Sequence, residues 1–488
     1  MLRRLHALVT RWAAPLLLLL GGLSAAVYHL RLTSRMALAD YINQPLMDMP
    51  KIVGATPDEA WAYLGTMLSL FGLYYLGYRV VLTRASRTIV VIVVLLALVF
   101  ALLLLIMYPV TATDIFNYIF FGRVWAFQGQ NPYVVTPSRW PEDPIYPYTA
   151  YDDEPTVYGA LFTHLSALLA WLAGPSLYAS LLVFKGAMLA FDAMALVLVY
   201  VILRRTRPAL AAAGLYLLAW NPLVLFNTAG DGHNDIVMLV LILLALAFAS
   251  RSRWALACAA IVLSASVKYV SLLLVPVFVV AALRSLGWRR WPVVARGLAL
   301  GLSLTVLLHA PFYAGLNTIL GALPQQGGRF TVSFALLVRN ALEGSSLPVD
   351  AALTARWIAY GLFALLYLRE LRRLQPSFDG LVYACYQALF VFLLIGNTWF
   401  QPWYVIWLVG LAALQVGAPV AARTIAFTLG AMLVHLVTGF GWRMNWLDSS
   451  EPLLQLAAVA LVFTPPLLVA LFEAWRAWRL RRRSVSPA

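Results

Sequence analysis

The stretch TIVVIVVLLALVFALLLLIMYP, residues 88–109, decides the fold. It carries no charge and is long enough for a helix to cross bilayer hydrocarbon. It runs directly into Thr113-Asp114-Ile115-Phe116-Asn117-Tyr118. A carboxylate where a membrane helix leaves the lipid is costly unless it is used, so Asp114 is the first candidate for chemistry. Beyond it come Gln130-Asn131-Pro132-Tyr133 and a segment rich in Pro, Tyr and acid that ends at Asp152-Asp153-Glu154-Pro155.

Composition extends that reading to the whole chain. With 62% hydrophobic and 11% charged residues in 488 and a mean hydropathy of +0.83, no water-soluble fold buries so much apolar surface. Apolar runs of helical length recur and alternating strands do not, which gives an all-α integral membrane protein solvated by the lipid bilayer, not a barrel. The formal charge of +15 sits in short Lys/Arg clusters between apolar runs, a pattern of topology and not of nucleic-acid binding. Cys258 and Cys385 lie inside apolar runs and read as small hydrophobes. The N-terminus, with Arg3, Arg4 and Arg11 before an apolar run, has signal-peptide charge order without a convincing cleavage site, and reads as an uncleaved first helix.

Basic clusters at Arg79/Arg84/Arg87, Arg204/Arg205/Arg207, Arg251/Arg253, Arg284/Arg289/Arg290, Arg369/Arg372/Arg373, Arg423 and residues 476–483 are expected on the cytoplasmic side. Spans near 13–30, 61–82, 88–109, 177–203, 209–228, 234–250, 254–268, 269–283, 293–313, 351–371, 379–396, 403–417, 421–438 and 452–474 satisfy that rule, about fourteen crossings with both ends inside. Residues 158–173 are apolar but break the charge rule if they cross, so an interfacial helix is expected there. The outer loop 110–176 and the outer segment 314–350, with Gln325-Gln326-Gly327-Gly328-Arg329 and an amphipathic run over 330–342, are then long enough to be functional. Lys185 and Asp192, seven residues apart on one span, read as a structural ion pair.

Four motifs share the outer side. Helical spacing brings Asp114, Asn117 and Tyr118 onto one face; from spacing alone a plain N-cap and a functional carboxylate stand side by side. Gly230-Asp231-Gly232-His233-Asn234-Asp235 holds more polarity than a turn needs, which points to sugar or phosphate contact beside the bland capping reading. A lone His beside sequence-adjacent acids is weak support for a metal, so no metal or other cofactor is assigned. Ser266-Val267-Lys268-Tyr269 breaks an apolar stretch into two short pieces and puts Lys268 at the turn, either snorkelling or placed for a lipid phosphate. Thr398-Trp399-Phe400-Gln401-Pro402-Trp403-Tyr404 is an interfacial aromatic belt or a sugar-stacking wall. Arg329, Arg339 and Arg443 add outward cations.

The order of these elements, Asp114 just after a membrane helix, Gly129-Gln130-Asn131-Pro132-Tyr133, Tyr158-Gly159, Gly232-His233-Asn234-Asp235, Lys268 and Gln401-Pro402-Trp403-Tyr404, resembles polytopic GT-C glycosyltransferases. The closest pattern is that of the actinobacterial polyprenol-phosphomannose-dependent α-1,6-mannosyltransferases. The resemblance covers about residues 88–405, and Tyr158-Gly159-Ala160 lacks the proline of many relatives. It implies an inverting transfer, mannose by default, from a polyprenyl monophosphate donor to a glycolipid or glycan acceptor at the outer face of the plasma membrane, bacterial by residue usage. Asp114 would then be the base, with Lys268, His233 and Arg329 at the donor phosphate. Asn117, Tyr118, Asn131, Tyr133, Asp231, Asn234, Asp235, Gln401, Trp403 and Tyr404 would meet sugar or acceptor. The domain reading is 1–87 N-terminal helices, 88–283 catalytic module and 284–488 C-terminal helices. The rival classes are a transporter or flippase and a lipid-linked glycan polymerase or ligase.

Overall fold

A computed structural model describes residues 9–315, 318, 329–417, 419–446 and 451–485. Among them every regular element is a helix, and the single β-bridge joins Ala37 to Met107. Lipid forces this, because an unpaired backbone amide in hydrocarbon costs several kcal/mol and a helix satisfies its own. Nine helices among the described residues are long and apolar enough to cross a membrane, or ten if the pair Pro208–Ala219 and Pro222–Gly230, bent by 48° around Trp220 and Asn221, is one span. The expected fourteen are not reached by that measure. The helices Asp235–Ala249, Trp254–Ser264 and Pro402–Ala413 are apolar but short. The expected interfacial helix is Ala160–Ala173, whose 14 residues also fall below crossing length.

Helix starts follow sequence chemistry. Ser86 accepts from the Ile89 amide at 3.2 Å to open Arg87–Leu105. Thr56 caps Pro57–Val81, which has proline in its first turn with Asp58 and Glu59 behind it. Small residues let spans close up: Gly297 and Gly301 lie so tightly on Ala255 and Ala259 that a Cβ on Gly297 would stand 2.8 Å from the Ala255 Cα.

The basic loops gather at one end of the bundle. Arg205 donates to the Ser250 carbonyl at 3.1 Å, Arg207 pairs with Asp379 at 2.6 Å, and Arg284 donates to the Leu374 and Arg372 carbonyls. Arg423 departs from its expected place in a basic loop: it is buried within Pro419–His435 and pairs with Glu473. Helices rising from the basic end deliver the outward motifs to the opposite end. There the outer segment contributes the helix Phe334–Glu343, capped by Ser333, while Gln325 to Gly328 lie outside the described residues.

Candidate active site

A cavity of about 620 Å³ opens at the end away from the basic loops. Asp114, Asn117, Tyr158, Lys268, Arg329, Trp403 and Tyr404 line its polar head. Val270, Leu272, Leu273, Pro276, Phe363 and Phe392 line an apolar groove leading from it, and Leu272 is itself 49% exposed on the outer surface of the bundle.

Asp114 is the first residue of the helix Asp114–Gln128, and Thr113 before it makes no side-chain cap. Its side chain, 18% exposed, lies with Oδ2 3.7 Å from Nδ1 of His233. Burial pushes its pKa up to about 6, partly offset by the charge on Lys268 and a hydrogen bond from Tyr158. Asn117, one turn further, presents an Oδ1 without a hydrogen-bond partner. Tyr118 stays behind this wall, edge-on to Tyr158 and Phe162 at 4.9 and 4.8 Å, where burial holds its phenol neutral.

The second motif follows a π-helical turn, Phe226–Gly230, a distortion common at functional sites. Gly232 takes φ +74°, which a side chain would strain. His233 is buried flat against Trp403, ring centroids 3.9 Å apart, and burial keeps its imidazole neutral. Asn234 is fully buried with both amide atoms unpartnered. Asp235 is 0% exposed and both its oxygens are taken: Lys268 Nζ donates to Oδ2 at 2.7 Å and Trp407 Nε1 to Oδ1 at 2.6 Å.

Lys268 stands at the break between Trp254–Ser264 and the turn Tyr269–Leu274. Its side chain is 14% exposed, and its ammonium lies 5.3 Å from the Tyr404 ring and 5.9 Å from that of Tyr158. The first outer loop docks on the same break, since the Gly159 amide donates to the Val267 carbonyl at 3.1 Å and that of Leu161 to Ser266 at 2.9 Å. A Cβ on Gly159 would collide with the Ser266 carbonyl. Across the cavity, Arg329 pairs with Glu154 and lies between the rings of Tyr151 and Trp399, 4.7 Å from each. The loop that holds Tyr151 and Glu154, the segment that starts at Arg329 and the aromatic belt are thereby joined above the groove.

Other singled-out residues lie elsewhere. Asn131 donates to the Phe312 carbonyl at 2.6 Å and Tyr133 to that of Tyr158 at 2.7 Å, so both fasten the loop outside the cavity. Asp231 is buried against Val110 and Thr111. Gln401 lines a neighbouring cavity of about 530 Å³ with Thr111, Phe400 and His435. Arg443 pairs with Asp48 and Arg339 with Glu343. The expected Lys185–Asp192 ion pair is absent: Lys185 donates instead to the Leu104 and Met107 carbonyls, and Asp192 Oδ1 has no hydrogen-bond partner. Seven residues are two helical turns, about 10 Å of rise, which same-face placement does not close. Trp407, Tyr151 and Asn397, which sequence reasoning missed, complete the lining. No group of three or more His, Cys, Asp or Glu among the described residues is arranged to hold a metal.

Residues 12–284 match the family model described as Alpha-(1->6)-mannopyranosyltransferase, N-terminal domain, more than half of the 488-residue chain. The chain belongs to that family and is a mannosyl-transferring glycosyltransferase, working between a sugar donor and a glycan acceptor. No curated protein matches it.

Proposed function

We propose that the protein moves mannose from a polyprenyl monophosphate to a hydroxyl of a glycan or glycolipid at the outer face of the plasma membrane, with Asp114 as general base. The observation that carries this is the junction of Asp114 and His233 with a cavity that continues as an apolar groove toward lipid. The groove suits a polyprenyl tail, and the polar head suits a phosphosugar. The basic loops at the opposite end support an extracytoplasmic cavity under the positive-inside rule.

In this reading the acceptor oxygen attacks the anomeric carbon as Asp114 takes its proton, the carbon–oxygen bond to phosphate breaks, and polyprenyl phosphate leaves with the bonding pair. A single displacement inverts the anomeric centre. A carboxylate with pKa about 6 is ionised at neutral pH yet basic enough to help. Lys268 meets the departing phosphate, held in place by Asp235, whose other oxygen accepts from Trp407, which makes Asp235 a support for Lys268 instead of a sugar ligand. His233 faces Asp114 rather than the phosphate, because it is buried behind Trp403 with Nδ1 3.7 Å from the carboxylate. Arg329 closes the phosphate side from above, while Asn117, Trp403 and Tyr404 meet the sugar. Residues 88–283 form the catalytic module, completed by Arg329, Trp399 and Trp403 from the segment 284–488. Membership of a transferase family favours this over transport.

Purified protein given a defined polyprenyl-phosphate mannose, radiolabelled in the sugar, is expected to label a glycan acceptor, and Asp114→Asn to abolish labelling while folding survives. Undiminished turnover in folded Asp114→Asn removes Asp114 from the mechanism.

A further inference from the structure

Two charged side chains that the transfer does not use are sealed inside the protein, Lys185 at 0% and Asp231 at 1% exposure. Lys185, on the helix Leu177–Thr206, donates from Nζ to the Met107 carbonyl at 2.5 Å and the Leu104 carbonyl at 3.2 Å. These carbonyls belong to the end of Arg87–Leu105 and the turn beyond it, where the Leu104 carbonyl also accepts from the Met107 amide at 3.1 Å. Asp231 takes the next residues: its Oδ1 accepts from the Val110 amide at 2.9 Å and the Thr111 amide at 3.4 Å, and its Oδ2 from the Thr111 hydroxyl. The two groups are neighbours, since a Cβ on Gly232 would stand 3.3 Å from the Lys185 Cγ. The same loop presents His233 to Asp114.

An apolar pair of similar volume would fill this space with less desolvation cost. What the charges add is direction, because an ammonium only donates and a carboxylate only accepts, so carbonyls and amides of one short segment are each read by their own partner. Other backbone bonds complete the hold: Leu38 donates to the Ile106 carbonyl at 2.8 Å, and Met49 to the Val110 carbonyl at 3.1 Å.

We propose that Lys185 and Asp231 are positioning residues, a clamp on residues 104–111 that fixes where Asp114 stands at the cavity head. Neither touches donor or acceptor, and the clamp rests on the reading of Asp114 as base.

The test uses the purified full-length protein with Lys185→Met, Asp231→Asn, their combination, and Thr111→Val. Displacing a reacting group by about 1 Å costs on the order of 100-fold in rate, so kcat falls by about tenfold or more in the single variants while donor KM stays within about twofold. The double variant falls little further than the worse single one. A slackened Asp114 gains water, so the acid limb of kcat moves down from about 6 toward the ordinary carboxylate range. Mere loss of folded protein lowers the rate and leaves the limb in place. Thr111→Val, at a half-buried position, keeps both charges and gives a smaller change of the same kind, which preserves the test if a deeper variant fails to fold. An unchanged kcat, or a fixed acid limb in folded variants, overturns the clamp. Asp114→Asn assayed alongside separates the two readings: if it turns over, the base assignment is lost; if it is inactive while the clamp variants match wild type, only the clamp is lost.

Discussion

Replacing Asp114 by Asn is expected to stabilise the protein as it silences it. Burial raises this carboxyl from an ordinary 3.8 to about 6, because the charged form gives up water that Lys268 and Tyr158 only partly replace. A carboxyl with a higher pKa in the folded than in the unfolded state favours the fold below its unfolded value and loses that advantage as pH rises through the folded one. Above about pH 6 the full penalty for the ionised form is therefore present, about 3 kcal/mol at most for a rise from 3.8 to about 6, since 18% of the side chain still faces the cavity. The amide carries no such penalty. Thermal unfolding in one detergent should show Asp114→Asn ahead of wild type by up to about 3 kcal/mol near pH 7.5, and by about half of that near pH 5. The rate of the wild type should fall about tenfold per unit below about pH 6 as the base is protonated. A variant no more stable than wild type near pH 7.5, or one whose advantage does not shrink on acidification, refutes the argument that burial raises this group.

Lys268→Met should raise the donor KM and, by leaving buried Asp235 with Trp407 alone, cost about 3–5 kcal/mol of stability; adding Asp235→Asn should recover much of the stability but not the donor affinity. Thermal unfolding and donor titration of the single and double variants check this. Gly159→Ala forces a methyl group into the Ser266 carbonyl, so it should cost about 1–3 kcal/mol and lower kcat by shifting Tyr158 away from Asp114. Comparing its melting and kcat with those of wild type decides. A single displacement that gives the α-(1→6) linkage requires a β-linked donor, so synthetic β-mannosyl polyprenyl phosphate should be consumed and the α anomer ignored in parallel labelling assays.

Much of the polar head was legible in the sequence. Asp114, Asn117, Lys268, Arg329, Trp403 and Tyr404 each stand where an apolar run ends or a loop returns to one, and a bundle of spans collects such ends on one side. Partners set by contact between distant segments were not legible. Trp407 reaches Asp235 across 172 residues, and Lys185 meets carbonyls 78 and 81 residues earlier, distances over which periodicity carries no information. Polarity also misled at Asn131, Tyr133 and Asp231, which bond to the protein's own backbone, because a side chain that holds a loop has the same composition as one that holds a sugar. Hydropathy alone does not separate a crossing helix from a short one enclosed by its neighbours, and among the described residues Asp235–Ala249 and Trp254–Ser264, expected as spans, are apolar but short.

The exposed flank of Leu272 bears on kinetics as well as shape. A reactant arriving through that opening travels sideways within one leaflet and keeps its chain in oil throughout. Its concentration is then a mole fraction among membrane lipids, so diluting the reaction with inert phospholipid should slow turnover, whereas adding buffer at a constant lipid ratio should leave it nearly unchanged.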